Sequence, residues 1–136
     1  MLFDFKIEGN LGNDPELRET RDGKKVAQMR VGRTSRRFKD GEWADAHTTW
    51  VTVTAWEGLA ERCMSLKKGD TVLVVGRDDL RPWAYNRRAD GEAAAELQVT
   101  ASNVSLSMRF KSAESLEPEN APWTVDDLTV PEPEYA

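Results

Sequence analysis

Between Thr48 and Trp56 the chain alternates without a break: Thr49, Val51, Val53 and Ala55 fall on one parity, and Thr48, Trp50, Thr52, Thr54 and Trp56 on the other. A period of two places the parities on opposite faces of a β-strand. One face is small and apolar, as a core requires. The other carries two tryptophans among threonines. These tryptophans are either core residues under a covering loop or a solvent-facing platform on which flat rings can stack.

The rest of the chain punctuates itself around this strand. Leu2 to Asn10 alternates Phe3, Phe5 and Ile7 with Asp4, Lys6 and Glu8, and Gly12-Asn13-Asp14-Pro15 breaks it. Asp22-Gly23 is a hairpin signal between Leu17–Thr20 and Val26–Thr34. In the second of these, Ala27, Met29 and Val31 share one face, and Gln28, Arg30 and Gly32 the other. The polar stretch Ser35 to His47, with Asp40-Gly41, reads as a long hairpin loop. Glu57 to Lys67 changes period, with Leu59, Cys63 and Leu66 on one side of a short helix. Cys63 is then a small core residue rather than a nucleophile. Thr71 to Arg77 is a β-prone strand, Asp78 to Glu92 a second long polar hairpin, and Ala95 to Met108 a last strand region. About five strands with one short helix between the third and fourth is the order of the OB-fold, a five-stranded Greek-key barrel. The expectation is an all-β domain over residues 1–111 and an acidic, proline-containing flexible tail over 112–136.

Charge separates along the same line. The net charge is −5, from 19 Lys and Arg against 24 Asp and Glu. Residues 112–136 hold seven of the 24 acids and none of the bases, so the body is mildly positive. Within it, Arg33, Arg36, Arg37, Phe38, Lys39 and Trp43 crowd the first long hairpin. Arg81, Trp83, Tyr85, Arg87 and Arg88 crowd the second. Cations interleaved with rings suit a groove that tracks a phosphate backbone and stacks bases. One cysteine allows no internal disulfide. No apolar run is long enough for a membrane-spanning helix, and no signal peptide is visible, so the expected compartment is the cytoplasm. His47 is the one histidine, with no nucleophile, metal-ligand cluster or phosphate-binding glycine loop beside it. No catalytic residue, metal or cofactor is expected. An RNA-binding domain and a protein-interaction module are the other readings that this pattern allows.

Taken in order, these residues resemble the bacterial single-stranded DNA-binding proteins. The matches include Gly9-Asn10-Leu11, Asp14-Pro15-Glu16-Leu17-Arg18, Asp22-Gly23 with Val26-Ala27, and Gly41-Glu42-Trp43-Ala44-Asp45. Trp50 with Val53 and Trp56, Leu59-Ala60-Glu61, Ser65-Leu66-Lys67-Lys68-Gly69-Asp70, Gly76-Arg77, Arg81 with Trp83, Asp90-Gly91 and Glu96-Leu97 complete them. The resemblance implies an OB-fold that binds single-stranded DNA during replication, recombination and repair. It implies a homotetramer, a dimer being also compatible with the residues. By position Phe38, Trp50, Trp56 and Trp83 look like the family's stacking aromatics, with Trp43 and Tyr85 added on their setting alone. Arg33, Arg36, Arg37, Lys39, Arg77, Arg81, Arg87 and Arg88 would contact phosphate. One departure concerns partners. The family usually ends in an acidic tip closing on an apolar group that recruits replication and repair enzymes, whereas this chain reads Pro131-Glu132-Pro133-Glu134-Tyr135-Ala136. The segment Pro122-Trp123-Thr124-Val125-Asp126-Asp127-Leu128 is the candidate substitute. A secondary paralogue, or a plasmid or phage version, would fit this departure.

Overall fold

A computed structural model describes residues 1–119 and Pro122. The candidate substitute tip at 123–128, with Trp123, and the terminal acids lie outside the described residues.

The strands are β1 (Lys6–Leu11), β2 (Glu16–Glu19), β3 (Lys25–Lys39), β4 (Glu42–Trp56), β5 (Thr71–Gly76), β6 (Arg81–Asn86) and β7 (Ala93–Leu106). A short helix, α1 (Glu57–Arg62), continues into one 3-10 turn at Cys63–Ser65. Five strands close on themselves. The order β1-β5-β7-β4-β3 returns to β1 through the pairing of Asn10 with Gly32 and Leu11 with Val31. All neighbours in the ring are antiparallel except β4 and β7, which run parallel from Val51↔Leu97 to Thr54↔Thr100. With the helix between β4 and β5, this is the OB-fold. β2 and β6 are added outside the ring, on β3 and β7 respectively.

The inward parities fill the barrel. Met29, Val31, Val51, Val53, Val72 and Val74 are fully buried, joined by Ala27, Ala55, Val99 and Ala101. Most are the small and β-branched residues that a narrow barrel can pack. α1 closes one end with Ala60 and, just beyond it, Cys63, both buried in the same cluster. Burial pushes the Cys63 thiol up, which suits a core residue and not a nucleophile.

The strand limits differ from those expected. Ser35 to His47 is not an irregular loop: β3 and β4 pair all the way to Lys39↔Glu42, around a two-residue turn, Asp40-Gly41. Both turn residues have positive φ, 56° and 78°, the geometry that joins twisted strands most closely. The stretch looks loop-like because this arm leaves the barrel, so neither of its faces needs an apolar parity. The second polar hairpin likewise contains β6, which pairs with β7 from Arg81↔Gln98 to Asn86↔Ala93. The first strand starts later than its alternation suggests. Leu2 and Phe3 are exposed, and pairing with β5 begins at Lys6. After β7 the chain stays tied to the barrel: Arg109 pairs with Glu8 at 3.0 Å, and Lys111 with Asp70.

Candidate nucleic-acid interface

Register places the outward parities of four strands on one continuous face. On β4 these are Thr48, Trp50, Thr52, Thr54 and Trp56. Opposite them on β3 stand Arg30 (with Thr52), Gly32 (with Trp50) and Thr34 (with Thr48). Across the parallel seam, Gln98 sits beside Thr52 and Thr100 beside Thr54. β6 then brings Arg81 opposite Gln98, Trp83 opposite Glu96 and Tyr85 opposite Ala94. Directly opposed residues share a face, so three of the expected aromatics, Trp50, Trp83 and Tyr85, meet on one surface.

Trp50 is half-buried, and its surroundings explain why. A Cβ placed on Gly12 or on Gly32 would come within 2.7 Å of its Cζ3 atom. The ring lies against two glycines because no other residue leaves room for it. The Arg30 guanidinium stands over the ring, 4.7 Å from its centroid, a cation–π contact. Trp50 is therefore neither buried core nor a fully open platform. It is packed on the sheet, not beneath it, and it borders an open cleft of about 270 Å³ shared with Thr48, Pro82 and Tyr85.

Trp83 and Tyr85 stack on each other at 5.1 Å with 25° between their planes, and Trp83 is 51% exposed. At the arm's tip Phe38 and Trp43, directly opposed, contact at 5.3 Å and 54°. Both are well exposed. Trp56 is 37% exposed and sits at the opposite end of β4, in a groove with Lys24 and Arg77. Aromatic stations therefore run from Trp56 through Trp50 and the Trp83–Tyr85 pair to the arm.

The expected cations divide. Arg77 lies beside Trp56, and Arg81 shares the face of Trp83 and Tyr85. On β3, Arg36 has the parity of Phe38, while Arg33, Arg37 and Lys39 have the other and are exposed on the arm's reverse side. Arg87 is engaged by acids of its own hairpin, Asp90 at 3.3 Å and Glu92 at 3.9 Å. Arg88 is exposed near the same turn. Asp79 anchors the segment between β5 and β6 by accepting the Thr100 amide at 3.0 Å, and its bonds to Thr100 hold that carboxyl below the usual aspartate range.

Two residues of this face are not marked as functional by the sequence pattern. Arg30 shares the parity of Trp50's partner, Gly32, so hairpin pairing is the signal that could have found it. Glu96 has no such signal: it meets Arg30 and Thr52 only through the crossover that sets β7 beside β4. Among the described residues no helix is long and apolar enough to cross a membrane.

An OB barrel with aromatics and arginines along one outer face defines the class of protein. Residues 2–107 match the Single-strand binding protein family, and the chain belongs to it. It is 40% identical over 94 residues to Single-stranded DNA-binding protein 1 of Chlorobaculum tepidum, covering 68% of this chain and 57% of that protein. It is 37% identical over 111 residues to the Single-stranded DNA-binding protein of Corynebacterium glutamicum, covering 79% and 48%. The chain thus spans about half the length of these curated relatives. The crystal structure of the small single-stranded DNA-binding protein from Streptomyces coelicolor superposes with a TM-score of 0.66 at 27% identity, over 78% of this chain and 94% of that one.

Proposed function

We propose that this protein binds single-stranded DNA without reading its sequence and does no chemistry on it. The observation that carries this reading is the run of aromatic stations along one face. Trp56, Trp50, Trp83, Tyr85, Phe38 and Trp43 stack bases, each station contributing roughly 1–3 kcal/mol. Arg36, Arg77 and Arg81 contact phosphate on the same side, and Arg88 does so from the turn of the second hairpin. Arg33, Arg37 and Lys39 reach phosphate from the arm's other edge, as a strand wrapping over the arm requires. Arg87, held by Asp90 and Glu92, contributes least. Residues 1–111 form the binding domain and 112–136 an acidic tail. The role is protection of single strands in replication, recombination and repair in the cytoplasm, as a homotetramer.

Titration with oligo-dT, oligo-U and duplex DNA, following tryptophan fluorescence at two salt concentrations, tests this. Oligo-dT should quench strongly and duplex hardly at all, and binding should weaken as salt rises, because counterion release then contributes less. Unchanged fluorescence with oligo-dT at low salt would refute the stacking face. Tighter binding of oligo-U than oligo-dT would make RNA the ligand.

A further inference from the structure

A carboxylate lies in the middle of a face whose proposed ligand is itself an anion. Glu96 is only 12% exposed at its side chain and is gripped from three strands. Arg30 of β3 pairs with its Oε1, the Thr52 hydroxyl of β4 donates to Oε2 at 2.9 Å, and the Tyr85 hydroxyl of β6 donates to Oε1 at 3.4 Å. Each of those residues touches a stacking station, lies beside one or is part of one. Arg30 lies over Trp50, Thr52 is two residues along β4 from Trp50, and Tyr85 stacks on Trp83. A negative charge repels a nucleic-acid backbone, so direct contact with phosphate does not explain it. A largely covered carboxylate that gathers groups from three strands has another use.

We infer that Glu96 is the positioning residue of the interface. It fixes the Arg30 guanidinium over Trp50 and holds Tyr85, and through it Trp83, at a set distance from that platform. The spacing between two stacking stations is thereby built before DNA arrives, so fewer side chains are ordered on binding. The inference rests on the single-strand reading of this face, and wild-type binding to oligo-dT is the control that tests that reading separately.

The test is the salt dependence of oligo-dT affinity for wild type, E96Q, R30K and the double variant, measured on protein shown by circular dichroism to be folded at the assay temperature. The slope reports phosphate contacts, and the value extrapolated to 1 M salt reports the non-ionic part, where stacking and pre-ordering reside. Glutamine keeps one acceptor oxygen, for the Thr52 hydroxyl, and sets an amide NH2 at the Oε1 position, which can donate to the Tyr85 hydroxyl but cannot pair with the Arg30 guanidinium, so Arg30 is released. E96Q should lower the extrapolated affinity by about 3- to 10-fold, the cost of ordering one or two side chains anew. R30K keeps the charge without the planar fork and should do the same. The double variant should be no weaker than either single one, because the two residues act as a unit. An E96Q protein whose extrapolated affinity is unchanged, with only a steeper slope, would show Glu96 to be a mere counter-charge and overturn the inference. So would additive losses in the double variant. If E96Q fails to fold, R30K and Y85F decide: a fall in extrapolated affinity in both supports positioning, and an unchanged affinity in either refutes it.

Discussion

The packing of Trp50 on Gly32 yields a prediction whose sign is informative. Gly32 has no positive φ, so Gly32→Ala meets no backbone obstacle. Glycine in a strand interior costs conformational entropy, and alanine would by that route stabilise the fold by about 0.5–1 kcal/mol. The neighbourhood says the opposite. The new methyl would stand 2.7, 2.9 and 3.0 Å from three ring carbons of Trp50, roughly 1 Å inside the optimal carbon separation. The ring cannot slide freely away, because Gly12 is equally close to it. Overpacking of this kind costs typically about 1–3 kcal/mol, so the net expectation is a loss of up to about 2.5 kcal/mol, or a fall of several degrees in Tm. Thermal unfolding by circular dichroism measures it. Repeating the substitution in a Trp50→Ala background removes the clash, and there Gly32→Ala should be neutral or stabilising. An equal loss in both backgrounds would refute the wedging of the Trp50 ring between Gly12 and Gly32.

Trp56→Ala should weaken oligo-dT binding by about 1–3 kcal/mol yet change the unfolding temperature little, since the ring is already 37% exposed. Arg81→Ala should reduce the slope of log affinity against log salt by about 0.7, one phosphate on a single strand, whereas Arg87→Ala should leave it nearly unchanged because Asp90 and Glu92 already occupy that charge. Asp70 is held below the ordinary aspartate value first by its bond to Lys111, and Asp79 by its bond to Thr100. Both carboxyls bind protons more weakly folded than unfolded. Their stabilisation is complete above the ordinary value of 3.8 and is lost as pH falls from there through their lowered folded values. Urea midpoints should therefore drop below about pH 4, and less steeply in D70N and D79N.

How much of the fold is legible in the sequence follows from where the core is. β4 crosses the barrel, one of its faces buries Val51, Val53 and Ala55, and so its alternation declares both the strand and the side on which Trp50 and Trp56 lie. The arm and β6 read as loops because outside the barrel a strand has nothing to bury and loses its periodic mark. The bulge between Ser35 and Arg36 carries no local signature either, yet it sets which face the arm's residues share with Trp50. Glu96 is invisible for a third reason. Its partners lie 11, 44 and 66 residues away: the β6–β7 hairpin supplies Tyr85, but only the crossover that sets β7 beside β4 brings in Thr52 and Arg30.

The arm also bears on time. Past the bulge, β3 and β4 have only each other, and a two-stranded ribbon alone in water is barely stable. Its order is lent by the barrel root, where β1 and β7 flank the same two strands. Amide exchange should therefore be slow up to Thr34 and fast from Arg36 outward, a step rather than a gradient. A finger that melts and re-forms while its base stays fixed can follow a moving strand without the barrel having to open.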